Sequence, residues 1–299
     1  MKIFKHSTLL LTLIIVLATS CRKDGYNMPN GECLLTQMDD DAFGTSVSIV
    51  YNQSGNPASM SFSGFPATLE YDSKNRLSKV NYGTAGVYSD YRYKDNSFLP
   101  AVSNYFRPDF GGVIAIDSFQ YNILGQMVKR GISNLIDPTY NSFQKYSYDN
   151  RGNVTKVVQS AQNGGTVYAT PVKIFEGLQY DNKRNFTAGN QWIKYLFFYN
   201  DIADYAPTMF SVNNAVNWRW GYGDNYTATV TSTLSYNTEG FANIFNCHLA
   251  DSDGFLLDYT RTNTSTCDAP AAPLMPGYLN TQSRVKLSKH SGNIPTTTK

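Results

Sequence analysis

One short pattern, an apolar or aromatic residue, any residue, tyrosine, then aspartate or asparagine, recurs seven times along the chain. The copies are Ile49-Val50-Tyr51-Asn52, Leu69-Glu70-Tyr71-Asp72, Phe119-Gln120-Tyr121-Asn122, Tyr146-Ser147-Tyr148-Asp149, Leu178-Gln179-Tyr180-Asp181, Phe197-Phe198-Tyr199-Asn200 and Leu234-Ser235-Tyr236-Asn237. Two residues apart on a strand, the apolar residue and the tyrosine share one face. The Asp or Asn then folds its side chain back onto the amides of a turn. Four residues after the tyrosine stands Gly55, Asn75, Gly125, Gly152 or Gly240. These residue types reach the positive φ that a short hairpin loop needs. An alternating apolar run follows, as in Leu77-Ser78-Lys79-Val80 and Val154-Thr155-Lys156-Val157, and reads as the return strand. Arg184 and Ala203 fill the glycine position in two copies. Longer or differently built turns are expected there, using Asn185 in the first.

Further segments read as strands: Val87 to Tyr93, Ala101 to Phe106, Val113 to Ser118, Gln191 to Tyr199, Tyr226 to Ser235, Phe241 to His248 and Phe255 to Thr262. With the repeats they make on the order of 14–18 strands, enough for a barrel-like sheet. No long 3.6-residue period appears, so helix is minor, with one short helix expected near Asp201 to Tyr205. Tyrosine and phenylalanine are abundant, at 22 and 17 residues. Both suit pleated, half-buried surfaces.

The copy Tyr146-Ser147-Tyr148-Asp149-Asn150-Arg151-Gly152-Asn153-Val154 resembles the YD repeat, whose consensus runs Tyr-x-Tyr-Asp-x-x-Gly-Arg before an apolar strand. The resemblance spans roughly residues 45–265. In the large Rhs and teneurin shells such repeats are tightly spaced. Here the spacing is uneven, and the consensus arginine appears only as Arg76. The chain is more similar to the small Tyr-Asp-hairpin lipoproteins of Bacteroidota, a family of unknown function described as porin-like in fold. The resemblance implies an all-β protein: a long antiparallel meander of hairpins curved into a barrel or half-barrel. It implies no activity.

The first twenty residues read as an export signal. Lys2 and Lys5 precede an apolar run from Leu9 to Leu17, and Ala18-Thr19-Ser20 are small residues just before Cys21. The run falls short of the about 20 apolar residues of a membrane-spanning helix. Leu17-Ala18-Thr19-Ser20-Cys21 resembles the lipobox of bacterial lipoproteins, which implies lipidation at Cys21 and an envelope address, most naturally the outer membrane on its periplasmic or surface side. The domain limits that follow are a signal at 1–20, a lipidated linker at 21–31, one β domain at 32–267 and a Pro- and Thr-rich tail at 268–299. The strands carry Ser, Thr, Asn, Lys and Gln opposite the tyrosines, so a tethered domain in water is expected rather than a transmembrane barrel. Removing residues 1–20 leaves basic and acidic residues in balance, which gives no reason for a nucleic-acid partner.

Cys33, Cys247 and Cys267 remain, an odd number for an oxidising compartment. Cys33 opens the first strand-like segment and Cys267 closes the last, so they meet if those strands pair antiparallel; Cys33–Cys247, or three free thiols, are the alternatives. No CxxC spacing supports a zinc or redox site, and no cofactor is expected.

Catalytic motifs are scarce. His248 is the one histidine outside the signal and the tail. It reads as a surface residue more readily than as a catalytic base. Asp39-Asp40-Asp41 and Asp251-Ser252-Asp253-Gly254 could offer carboxylates to calcium, but the second also reads as a hairpin turn. Trp218, Trp220 and Tyr222 share one strand face, which is either core or a stacking platform for a ligand. The expected function is a non-enzymatic binding or scaffold module for a glycan, an apolar ligand or a partner protein of the envelope. The alternative is a polysaccharide hydrolase with two turn carboxylates about 5–10 Å apart.

Overall fold

The computed structural model describes residues 33–267, apart from 43, 84–85, 164–165, 188–191 and 197–205. The expected signal, Cys21, the linker, the tail, Tyr199 and the helix near 201–205 lie outside the described residues. Seventeen antiparallel strands follow one another in a meander. They are β1 (Leu34–Asp40), β2 (Thr45–Tyr51), β3 (Pro57–Phe62), β4 (Phe65–Tyr71), β5 (Leu77–Tyr82) and β6 (Tyr88–Tyr93). Next come β7 (Pro100–Arg107), β8 (Gly112–Tyr121), β9 (Met127–Asn134), β10 (Ser142–Tyr148), β11 (Val154–Asn163) and the two-residue β12 (Thr166–Val167). The last are β13 (Lys173–Arg184), β14 (Asn213–Tyr222), β15 (Asn225–Tyr236), β16 (Ala242–Asp251) and β17 (Leu256–Thr266). Strand β17 pairs with β1, closing the sheet. Strand β12 pairs only with the end of β11, which goes on to pair with β13, so the closed barrel has sixteen staves.

In a closed meander, hairpin turns alternate between the two ends. The turns β2–β3, β4–β5, β6–β7, β8–β9, β10–β11 and β15–β16, with the connection from β13 to β14, therefore fall at one end, and the Tyr-Asp pattern sits there; the side strand β12 shifts the parity of the strand numbers after it. Here the register shifts at the tyrosine itself, between Val50 and Tyr51, Glu70 and Tyr71, Gln120 and Tyr121, and Ser147 and Tyr148. A bulge re-aims a side chain. Each tyrosine reaches across to the preceding hairpin and donates its hydroxyl to a carbonyl at the start of a strand. Tyr51 bonds Leu35 at 2.6 Å, Tyr71 bonds Pro57 at 2.7 Å, Tyr121 bonds Pro100 at 3.0 Å and Tyr148 bonds Met127 at 2.7 Å. Tyr180 does the same to Val154. Tyr93, which the pattern missed because Lys94 follows it, bonds Leu77 at 2.7 Å. Tyr236 instead donates to the Asp181 carboxylate. The turns are built as their residues imply. The Asp149 carboxylate accepts from the amides of Arg151 and Asn153, and Asp72 from those of Lys74 and Arg76. Gly152 at φ 90° and Asn75 at φ 61° hold the left-handed position.

A sixteen-strand barrel is wide enough to leave a channel unless something fills it. The filling is the long connection from β13 to β14. It places Trp192, Ile193, Leu196 and Met209 inside the barrel, each at most 2% exposed. The expected strand from Gln191 to Tyr199 is corrected: Ile193–Leu196 is a helical turn, α1, followed by α2 (Ala206–Met209). The physical reason is that a closed ring offers no free edge to pair with. A turn of helix satisfies its own backbone while burying side chains all round. Trp192 packs on Tyr71 and Tyr93, with ring centroids 6.5 and 6.4 Å away. Tyr195 packs on Phe119 at 5.7 Å, and its hydroxyl lies 3.0 Å from that of Tyr121. Buried amides hold the ends of the connection. The Asn185 side chain donates to the Thr208 carbonyl, and the Ser211 hydroxyl accepts from the Val154 amide.

Away from the tyrosine end the interior holds buried ion pairs. Asp117 pairs with Arg130 at 2.9 Å and Asp40 with Arg261 at 3.1 Å, all four side chains being buried. The second pair and the Cys33–Cys267 disulfide lock the β1–β17 seam at its two ends. Closing a loop of 234 residues stabilises by about 5 kcal/mol in the chain-entropy model. The outer wall is hydrophilic. Opposite the inward Val230 and Tyr259, β15 and β17 expose Thr231, Thr233, Asp258 and Thr262. Phe143, which is buried, and Tyr88 lie under the ammonium groups of Lys129 and Lys79.

Two outcomes follow from the filling. Trp192→Ala empties the centre of the barrel and should cost about 3–5 kcal/mol. Phe65→Ala, at an exposed turn, should stay within about 0.5 kcal/mol; urea denaturation measures both. Burial raises Tyr180 to about 12 and holds Tyr71, Tyr93, Tyr121 and Tyr148 higher still. Unfolded tyrosines ionise near pH 10. Stability is therefore fully present below about pH 10 and is lost as pH rises toward the folded-state values. Absorbance at 295 nm should show the tyrosinate signal of the buried ring appearing together with loss of β circular dichroism; gradual ionisation of the intact barrel would contradict this.

Candidate functional site

The turns at the other end, β1–β2, β3–β4, β5–β6, β7–β8, β9–β10, β11–β13, β14–β15 and β16–β17, face away from the tyrosine ring and form the mouth. Twelve of the sixteen exposed large hydrophobic residues among the described residues sit there. The β3–β4 turn carries Phe65, 76% exposed, and the β7–β8 turn carries Phe110 and Val113. Between β9 and β10 stand Leu135, Ile136 and Tyr140, and between β11 and β13 stand Val167, Tyr168 and Val172. Tyr222 occupies the β14–β15 turn, and Phe255 and Leu256 the β16–β17 turn. The tyrosine end has Ile123 and Phe98, and the wall Val50 and Leu178. Apolar side chains on loops have no structural need for exposure, and their concentration at one end makes the mouth the candidate site.

Charge at the mouth is uneven. Its hairpins carry Asp41, Asp109, Asp137, Asp224, Asp251 and Asp253, against Arg107 and Lys173. Some of these carboxylates also build turns. Asp251 accepts from the amides of Asp253 and Phe255, and Asp137 caps the 3-10 turn Pro138–Tyr140. Asp109 is held below the usual carboxylate range by the Arg107 guanidinium.

The stacking residues expected from the sequence lie along one inner path. Trp218 is buried, Trp220 half-buried and Tyr222 57% exposed, so the three step from core to mouth along the inward face of β14. Lys173 sits 5.7 Å from the Tyr222 ring centre. Only Tyr222, with part of Trp220, is placed to meet a ligand. Elsewhere on the inward faces, Ser89, Ser103, the Asp117–Arg130 pair and Gln144 are buried polar groups. The Ser103 hydroxyl has no hydrogen-bond partner among the described residues.

Other candidates are placed as follows. Cys33 and Cys267 are bonded to each other, and Cys247 is a buried free thiol whose pKa burial raises. His248 points outward into a wall groove of about 360 Å³ lined by Thr231, Thr233, Asn246 and Thr260. Its Nδ1 lies 2.7 Å from Asp258, with both side chains in solvent. Asp39 is half-buried and bonds Gln37 and Ser46, Asp40 is consumed by Arg261, and Asp41 accepts from the Thr260 amide. Among the described residues no group of three or more His, Cys, Asp or Glu converges as metal ligands would. The mouth surface itself escapes sequence reading, because its residues lie in irregular spacers between repeats. The available signal was the apolar pairs Leu135-Ile136 and Phe255-Leu256 inside turn-rich segments.

No protein-family model matches the chain, and no curated protein does. Among solved structures, a porin-like protein from Bacteroides uniformis superposes with a TM-score of 0.49 at 13% identity, over 78% of this chain and 98% of that one. A porin-like protein from Bacteroides vulgatus superposes with a TM-score of 0.47 at 9% identity, over 78% and 98%. A Tc holotoxin pore of Photorhabdus luminescens gives 0.26 at 12% identity, over 76% of this chain and 9% of that one.

Proposed function

We propose that the protein is a non-enzymatic docking barrel of the cell envelope, tethered through Cys21, that presents its mouth to a partner. The observation that carries this reading is the gathering of exposed apolar side chains at the end opposite Cys33 and Cys267. Cys33 and Cys267 lie at the tyrosine end. A lipid on Cys21 would pull on that end through a linker spanning at most about 40 Å when extended. The mouth would then point away from the tethering surface. The hydrophilic wall supports tethering over insertion, because a transmembrane barrel turns an apolar band outward. Deep cargo is disfavoured by the packed connection from β13 to β14, whereas Tyr222 and Trp220 are placed to stack on whatever part of a partner enters the mouth. The hydrolase alternative lacks support: the inward carboxylates of Asp40 and Asp117 are each neutralised by an arginine, and most others cap separate turns.

A photo-crosslinking amino acid placed at Tyr140 or Phe255 should give adducts in intact cells, and the same group at Ile123, 96% exposed at the tyrosine end, should give none. Equal crosslinking at both ends, or none at the mouth, would reject the reading.

A further inference from the structure

We infer that the partner presents to the mouth a polypeptide segment in which lysine or arginine alternates with apolar side chains; the inference rests on reading the mouth as the docking surface. The argument is the interleaving of two chemistries on the same turns. Ile136 adjoins Asp137, Tyr222 lies two residues before Asp224, and Asp253 lies two residues before Phe255, while at the β7–β8 turn Asp109 and Phe110 already hold a cation of the chain's own, the Arg107 guanidinium. An apolar surface that cannot be covered without meeting a carboxylate selects what covers it. Complementary charge steers encounter and rejects wrong partners, since like charges brought together are unfavourable.

Three other occupants fail on this pattern. A second copy docked mouth to mouth would set aspartate against aspartate. An anionic bilayer would be repelled in the same way. A neutral bilayer would take Ile136 or Phe255 only by drawing Asp137 or Asp253 toward the acyl region, where an ionised carboxylate is costly. A polypeptide with alternating cations and apolar groups covers the apolar tips and pairs the carboxylates together.

The test uses the purified protein and defined probes: an amphipathic peptide of Leu and Lys, its counterpart of Leu and Glu, and vesicles of phosphatidylcholine with and without phosphatidylglycerol. The Leu–Lys peptide should bind at least about tenfold more tightly than the Leu–Glu peptide at low salt, and the preference should shrink as salt rises. The double substitution Asp224→Asn with Asp253→Asn removes two exposed mouth carboxylates and should weaken the Leu–Lys peptide about three- to tenfold, with the thermal midpoint unchanged. Leu256→Ser should weaken it as well. Equal binding of the two peptides, vesicle binding that Leu256→Ser abolishes, or self-association through the mouth would each overturn the inference. If the mouth crosslinks in cells while the peptides are not distinguished, the docking reading stands and the cationic partner is rejected.

Discussion

A ring of sixteen strands encloses more space than its own side chains can occupy, and the rest of the structure answers that constraint. Two devices share the task. The tyrosines at the turns of one end lean inward and, Tyr236 apart, tie one hairpin to the one before it through a hydroxyl-to-carbonyl bond. The connection from β13 to β14 then fills what remains, with Trp192 and Tyr195 packed against tyrosines and phenylalanines of distant strands. The devices depend on each other. Tyr71, Tyr93 and Tyr121 are walls for the inserted segment and also links in the hydroxyl chain. Most net hydrogen-bond contributions are about 1 kcal/mol, so closure rests on repetition of the link more than on any one of them.

Filling the interior with apolar side chains has a consequence for the outside. The period-two alternation of strands allows only one face of each to be apolar, and here that face is turned inward. What remains outside is threonine, serine, asparagine and lysine. The wall is thus free of large exposed hydrophobic residues except Val50 and Leu178 among the described residues. Apolar surface reaches solvent mainly where the strands end. The turns at the mouth are not bound by the tyrosine pattern, and they are free to carry exposed apolar residues.

Much of this was legible in the sequence, for reasons that can be named. Tyrosine followed by Asp or Asn with Gly or Asn four residues on specifies a turn locally, and local chemistry is what a sequence reports well. The runs Leu77 to Val80 and Val154 to Val157 were readable as return strands, although their buried residues stand three apart and not two. Tyr93 was missed because Lys94 breaks the pattern, although Asp95 at φ 51° supplies the left-handed residue. Gln191 to Tyr199 was misread because its apolar density fits a strand as well as an inserted helical turn, and only closure of the ring removes the strand option. The pairs Asp117–Arg130 and Asp40–Arg261 join residues whose proximity depends on register and on barrel closure, and no local signal announces them. The mouth was hidden for the same reason, since its residues become neighbours only when alternate turns are gathered at one end. Trp218, Trp220 and Tyr222 were correctly placed on one face, but whether that face meets core or solvent varies with height along β14.

The reading of the molecule as a barrel filled with apolar side chains and walled with polar ones is tested most directly in water. The domain should remain a monodisperse monomer in detergent-free buffer by analytical ultracentrifugation, with β circular dichroism and a cooperative urea transition. A chain that aggregates without detergent and recovers its β signal and its transition only in micelles or bilayers would contradict it.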